Sequence, residues 1–276
     1  MVNIKVTKLS LTILFAIASF TMMLPLLWMV SASCKIEADV MKFPIEWIPK
    51  RWNIVENYKE IFQGKYNFIL FYFNTIKLSV ITTATQVLVS ALGAYGFSKI
   101  NFKGRDKLFV CYLATMMIPD QITIVPKFLL FRWLQLFDTH FSLILMQSFS
   151  VYGVFLLRQF MVSVPDSLVE AAKIDGASHP RIFFNIMLPI IKPALSTLAI
   201  LKFIWTWNDY QYPLIFLNTK SLFTIQLGLK QFASLYGTEY ALVMAGSVVA
   251  ILPLFIVFIL GQKYVIEGIA SGSVKG

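Results

Sequence analysis

Lys202 and Asp209 lie seven positions apart in an otherwise apolar stretch, and so roughly on one face of a helix. Ionisable groups are costly in such surroundings and by default mark a functional site. Around the acid runs Trp205-Thr206-Trp207-Asn208-Asp209-Tyr210-Gln211-Tyr212-Pro213. Trp207, Asn208, Asp209 and Tyr210 combine aromatic faces for stacking with groups for hydrogen bonding, which suits a polar path. An interfacial aromatic belt with snorkelling charges is the other reading. Asp120 and Gln121, between Pro119 and Pro126, form a second polar pair, placed either to line an outer gate or to cap a helix break.

Other chemistries lack their residues. Cys34 and Cys111 are the only cysteines, and His140 and His179 the only histidines, too few and too scattered for a metal cluster or a disulfide scaffold. No phosphate loop of the form G-x-x-x-x-G-K followed by Ser or Thr is present, and no nucleophile elbow. The chain should therefore not hydrolyse ATP by itself. A membrane-embedded enzyme, with Asp209 or the Asp120 region as acid or base, would need converging groups that the sequence does not show.

The elements that must position these residues are membrane spans. Of the 276 residues, 58% are hydrophobic and only 14% charged, against about 25% charged in soluble domains. A spanning helix takes about 20 apolar residues, so the length allows roughly six. The net charge of +10 reads first as topology, and no water-facing basic module suggests nucleic acid. Apolar runs predict spans at 9–30, 68–97, from 108 with breaks at Pro119 and Pro126, then 142–161, 193–217 and 241–262. The first run could also be read as a signal peptide, but it is long for one and more spans follow. Lys5 and Lys8, the basic connection Lys99, Lys103, Arg105 and Lys107, and the polar segment after the fourth span all fall on one side. That places both termini and this segment in the cytoplasm. The organisation expected is a first span with an outer loop (1–67), a core (68–262) and a tail (263–276).

The polar segment 163–193 reads as helix, turn, helix. Asp166 or Ser163 can cap the first helix, and Ser167 with Glu170 fits a capping box. Leu168, Ala171 and Ala172 share a face. Asp175-Gly176 is a turn dipeptide. Ser178 or His179 can cap the second helix, with Pro180 in its first turn and Ile182, Phe183, Ile186 and Met187 on its apolar face. Such a hairpin either docks into a groove of a soluble partner or lies on lipid headgroups.

The run Glu170-Ala171-Ala172-Lys173-Ile174-Asp175-Gly176-Ala177, with Phe183, Ile186, Leu188-Pro189 and Pro193, closely resembles the EAA loop of permease subunits of binding-protein-dependent ABC importers. Residues 93–99, 155–160 and the ending 267–276 resemble the sugar-uptake, maltose-type branch. The resemblance implies an all-α membrane protein of about six transmembrane helices with the type I importer permease fold, in the bacterial inner membrane. It implies coupling helices, with Glu170, Ala171, Ala172, Asp175, Gly176, Ala177, Phe183, Ile186 and Pro189, seated in a cytoplasmic ATPase. The implied partners are a second homologous permease subunit, two copies of the ATPase and an extracytoplasmic substrate-binding protein. No cofactor is expected on this chain; ATP and magnesium belong to the ATPase. The implied function is import of a sugar, oligosaccharide or sugar derivative, with a polyol phosphate such as glycerol phosphate as the alternative cargo. A channel gives no reason for an EAA-type hairpin. Sugars present hydroxyls and C–H faces, so residues 207–210 are the candidate translocation path. The loop 218–240, with Gly228, Tyr236 and Gly237, resembles the family loop that contacts the binding protein. The small residues of the tail suggest a flexible segment, which by resemblance reaches the ATPase dimer.

Overall fold

A computed structural model describes residues 4–64, 67–234 and 237–273. The helices are α1 (Ile4–Ser33), α2 (Glu37–Val40), α3 (Ile54–Gln63), α4 (Phe68–Lys99), α5 (Arg105–Ala114), α6 (Asp120–Trp133), α7 (His140–Gln147) and α8 (Val151–Ser163). They continue as α9 (Asp166–Ile174), α10 (His179–Ile182), α11 (Leu188–Ile190), α12 (Lys192–Trp207), α13 (Gln211–Phe216), α14 (Ile225–Lys230) and α15 (Tyr240–Ser273). Two antiparallel strands of two residues each, Ala233–Ser234 and Gly237–Thr238, are the only paired strands among the described residues. Tyr236 of the expected loop, and the last three residues of the tail, lie outside the described residues.

Three helices, Lys8–Ser33, Phe68–Lys99 and Tyr240–Lys263, are long and apolar enough to cross a membrane, and the count is six when each of three bent helix pairs is taken as one span. The bends correct the sequence reading in detail. Arg105–Met117 meets Asp120–Trp133 at 96°, and the break falls at Pro119 alone. Ile118 before it is extended (ψ 113°), as steric conflict with the proline ring requires. Pro126, expected to break the span as well, lies inside α6. The fourth span bends by 42° between Gln147 and Val151. The fifth, expected to run to 217, stops at Trp207. There the Asn208 side chain donates to Ile204 O (2.9 Å) and Asp209 accepts from Tyr212 N (3.2 Å), side-chain bonds that compete with helix continuation. At the C-terminus the expected flexible tail is instead helical through Ser273.

The chain forms two compact units, one of Met1–Ile69 with Gly228–Leu252, the other of Leu70–Leu227 with Pro253–Gly276. In the first unit, the most apolar 18-residue stretch of α1 has no buried residue, as suits a helix facing hydrocarbon, and only the end of the helix is packed. Ala32, Val40 and Ala241 are buried against Trp28 and Met244. The Glu37 carboxylate accepts from Tyr240 N (2.9 Å) and Ala241 N (2.8 Å), satisfying the unpaired amides that begin α15. Asp39 receives both Arg51 Nε (3.1 Å) and Arg51 Nη2 (2.9 Å). That guanidinium holds the Asp39 carboxyl below its ordinary range. A depressed folded pKa contributes stability that is present above the unfolded value, about 3.9, and lost as pH falls through the folded one. Hydrogen-exchange protection of residues 37–63 should therefore persist at neutral pH and drop only in acid below about 3.9. Arg51→Met should weaken it at neutral pH too.

In the second unit, α4 packs against α8 at close range. A Cβ on Gly153 would stand 2.4 Å from Ser90 Oγ and 3.3 Å from Leu198 Cδ2, so any larger residue would have to push side chains aside, and glycine permits the close approach. Tyr95, Leu157, Met161, Ile182, Phe183, Met187 and Leu198 form one buried core joining α4, α8, the 183–187 turn and α12. A second core, Leu78, Phe131, Leu143, Phe216 and Leu217, joins α4, α6, α7 and α13. With 32 residues, α4 is about 48 Å long, against a hydrocarbon thickness of about 30 Å. It can therefore carry its last turns beyond the lipid.

Candidate coupling segment and translocation cavity

The expected hairpin is present as α9, a turn and α10, followed by a π-helical turn at Phe183–Met187. Gly176 has φ +79°. Ala177 N donates to Ala172 O (2.9 Å) and Gly176 N to Lys173 O (3.0 Å), the paired bonds of a Schellman ending. A Cβ on Gly176 would meet nothing within 4 Å, so the requirement for glycine is conformational, not steric. Val169 and Ala172 form the buried face of α9, whereas Leu168, Glu170, Ala171, Ile174 and Asp175 are exposed. The shared face expected for Leu168, Ala171 and Ala172 is thus divided between core and solvent. Ile182, Phe183 and Met187 are buried, Ala177 and Ile186 half-buried, and Pro189 exposed.

The expected caps do not form. Pro165 precedes α9, and no side chain caps either short helix. Ser163 Oγ turns back to Phe160 O (2.7 Å). Asp166 instead meets Lys99 Nζ at 2.5 Å, and that ammonium holds the Asp166 carboxyl below the usual carboxylate range.

The residues expected to line a path separate. Trp207 is fully buried, edge-on to Tyr72 (5.7 Å) and stacked on Phe203 (5.7 Å), and it is not among the residues that line the cavity beside Asp209. Asn208 is exposed and ends α12, and Tyr210 is half-buried at the start of α13. Asp209 does line a cavity of about 250 Å³, with Gln147, Lys202, Trp205, Gln211 and Tyr212. Lys202 and Asp209 are joined through Gln147: Lys202 Nζ donates to Gln147 Oε1 (2.8 Å), and Gln147 Nε2 donates to Asp209 Oδ2 (2.8 Å). Trp205, half-exposed, leans on Tyr152 at 5.8 Å. Asp120 belongs to the same neighbourhood. Lys127 Nζ donates to Asp120 Oδ1 (2.5 Å) and to the Tyr212 hydroxyl (3.0 Å), and that hydroxyl donates to Asp120 Oδ2. Gln121 beside it is exposed.

Gln147, Lys127, Trp205 and Tyr212 were not singled out from the sequence as site residues. An amide just before the Ser148-Phe149-Ser150 interruption of an apolar run was the available signal for Gln147.

This arrangement, a helical membrane protein with an exposed hairpin and a polar cavity at a helix break, is that of a transport subunit. Residues 86–270 match the family described as binding-protein-dependent transport system inner membrane component. The chain belongs to that family and so is a membrane permease subunit, not an enzyme. It is 34% identical over 272 residues to the arabinooligosaccharides transport system permease protein AraQ of Bacillus subtilis, covering 98% of this chain and 97% of that one. The permease of the same name from Halalkalibacterium halodurans is 35% identical, covering 96% of each chain. A crystal structure of a bacterial ABC transporter involved in the import of the acidic polysaccharide alginate matches with a TM-score of 0.83 at 26% identity, covering 94% of this chain and 96% of that one. The fold is therefore the type I importer permease fold.

Proposed function

We propose that this chain is one permease subunit of an ATP-driven importer that carries an oligosaccharide. It pairs with a second, homologous permease subunit. It rests on two copies of a cytoplasmic ATPase, which hold the ATP and magnesium, and it takes sugar from an extracytoplasmic binding protein. Both termini and the 163–193 hairpin face the cytoplasm, and Glu170 pairs with a basic residue of the ATPase. The 218–240 loop faces the binding protein.

The observation that carries the sugar reading is the cavity. Trp205 gives an aromatic face for C–H contacts, and Gln147, Asp209, Gln211 and Tyr212 give hydrogen-bonding groups around it. Arabinooligosaccharide permeases among the relatives point the same way. A polyol phosphate is less suited, because a phosphate asks for an uncommitted cation. Lys202, the cation lining this cavity, is bonded to Gln147.

Deleting the gene should abolish uptake of labelled arabino-oligosaccharides and leave glycerol phosphate uptake unchanged. Restoring Trp205→Ala in place of the parent should recover only part of the uptake, since an aromatic contact contributes about 1 kcal/mol beyond its area. Loss of glycerol phosphate uptake with oligosaccharide uptake intact would reverse the assignment.

A further inference from the structure

We infer that the last turn of α4 is a clamp fastening both arms of the coupling hairpin to a membrane span, with Lys99 and Tyr95 as positioning residues for coupling. The inference rests on the reading that 163–193 docks the ATPase. Along the chain, the hairpin is continuous with α8 on one side and with α11 and α12 on the other. Helix α4 has no such connection, and only side chains link it to the hairpin.

Those links fall on both arms. The Lys99 side chain is 2% exposed. Its ammonium donates to Val164 O (2.6 Å) and Asp166 Oδ1 (2.5 Å), on either side of Pro165 at the corner from α8 into α9. Tyr95 is 4% exposed. Its hydroxyl bonds His179 Nδ1 at 2.9 Å, and its ring lies edge-on to Phe183 at 5.4 Å. Positions 95 and 99 share a helix face, so one turn of α4 holds the entry to α9 and the start of α10 together. A buried ammonium is tolerated only while it is paired. Here both acceptors belong to the moving corner, so displacing the hairpin without α4 would strip Lys99 of both. Movement imposed on α9 and α10 is thereby passed to a third span that the chain does not connect to them.

The test uses the complex of this chain with its second permease and ATPase, in lipid nanodiscs. Cys34→Ser and Cys111→Ser remove the native thiols, and Gln211→Cys reports at the cavity through its maleimide labelling rate. Labelling in the vanadate-trapped, ATP-loaded state is compared with the nucleotide-free state. The parent ratio should be roughly tenfold, within the ordinary range of coupling. Lys99→Met should bring that ratio close to one while the ATPase stays bound and hydrolyses ATP. Lys99→Arg should retain the ratio, and Tyr95→Phe should reduce it several-fold.

A Lys99→Met complex with the parent ratio overturns the clamp, as does a parent whose label ignores nucleotide. If Lys99→Met fails to assemble, Tyr95→Phe decides, because it removes one hydroxyl and keeps the ring; an unchanged ratio there overturns the clamp equally. Failure of the docking reading shows separately, as full ATPase retention by both Gly176→Pro and Glu170→Lys.

Discussion

Replacing Gly176 by proline should strip the ATPase from the purified complex while the chain still inserts in the membrane. Gly176 sits at φ +79°, and proline is held near −65°. The substitution also removes the amide that donates to Lys173 O at 3.0 Å. Together these cost about 3 kcal/mol or more, a factor of roughly a hundred in the population of the docking-competent turn. Gly176→Ala is the control. Its Cβ meets nothing, so it carries only the left-handed penalty of about 1–2 kcal/mol and should retain part of the ATPase. Glu170→Lys leaves the turn intact and reverses an exposed charge, so it should weaken retention by a different route. Co-purification measures all three. Undiminished ATPase retention in both Gly176→Pro and Glu170→Lys would count against docking through this hairpin.

The second large effect is expected at Gln147. Gln147→Leu removes the amide to which both the buried Lys202 ammonium and the Asp209 carboxylate are bonded. Leaving a buried donor or acceptor without its partner costs about 1–3 kcal/mol, and more when the group is charged; two charged groups lose a bond here. The variant should therefore melt well below the parent in detergent and transport little. Gln147→Leu with Lys202→Met and Asp209→Asn removes both charges together with the amide between them, so no buried charge is left without its partner. This triple variant should regain much of the parent melting temperature but not oligosaccharide uptake. A single variant that melts with the parent would mean that the bridge does not hold the cavity wall.

Composition and hydropathy are enough for the class and for the three unbroken spans, because a long uninterrupted apolar run such as 68–97 or 241–262 suits lipid as a single helix. The turn at Gly176 was also legible, since few residues other than glycine take that conformation readily. Features that depend on partners distant in the chain could not be read. Asp166 looked like a helix cap because its spacing was right, yet Lys99, 67 residues away, competes for its carboxylate. Trp205 and Trp207 are two residues apart, about 200° around a helix. Composition treats them alike, whereas the fold sends one to the cavity and the other to the core. Gln147 carries no mark of its own until Lys202 and Asp209 are brought to either side of it. Pro126 shows the reverse error: a residue with a strong local preference was overruled by the helix around it.

The five-residue turn at 183–187 has a consequence for the helical turn that follows it. Leu188 N reaches back to Phe183 O, one residue beyond the usual partner, so the chain holds one residue more than regular winding would. Each residue rotates a helix by about 100°. That single surplus position therefore dials the azimuth of the next helical turns by more than a quarter circle, and it does so just before Pro189, which has no amide with which to correct the phase. Shortened by one residue, the segment up to the 80° bend between Ile190 and Lys192 would still be a helix, but one that turns different side chains towards the core around Tyr95, Leu157 and Met187.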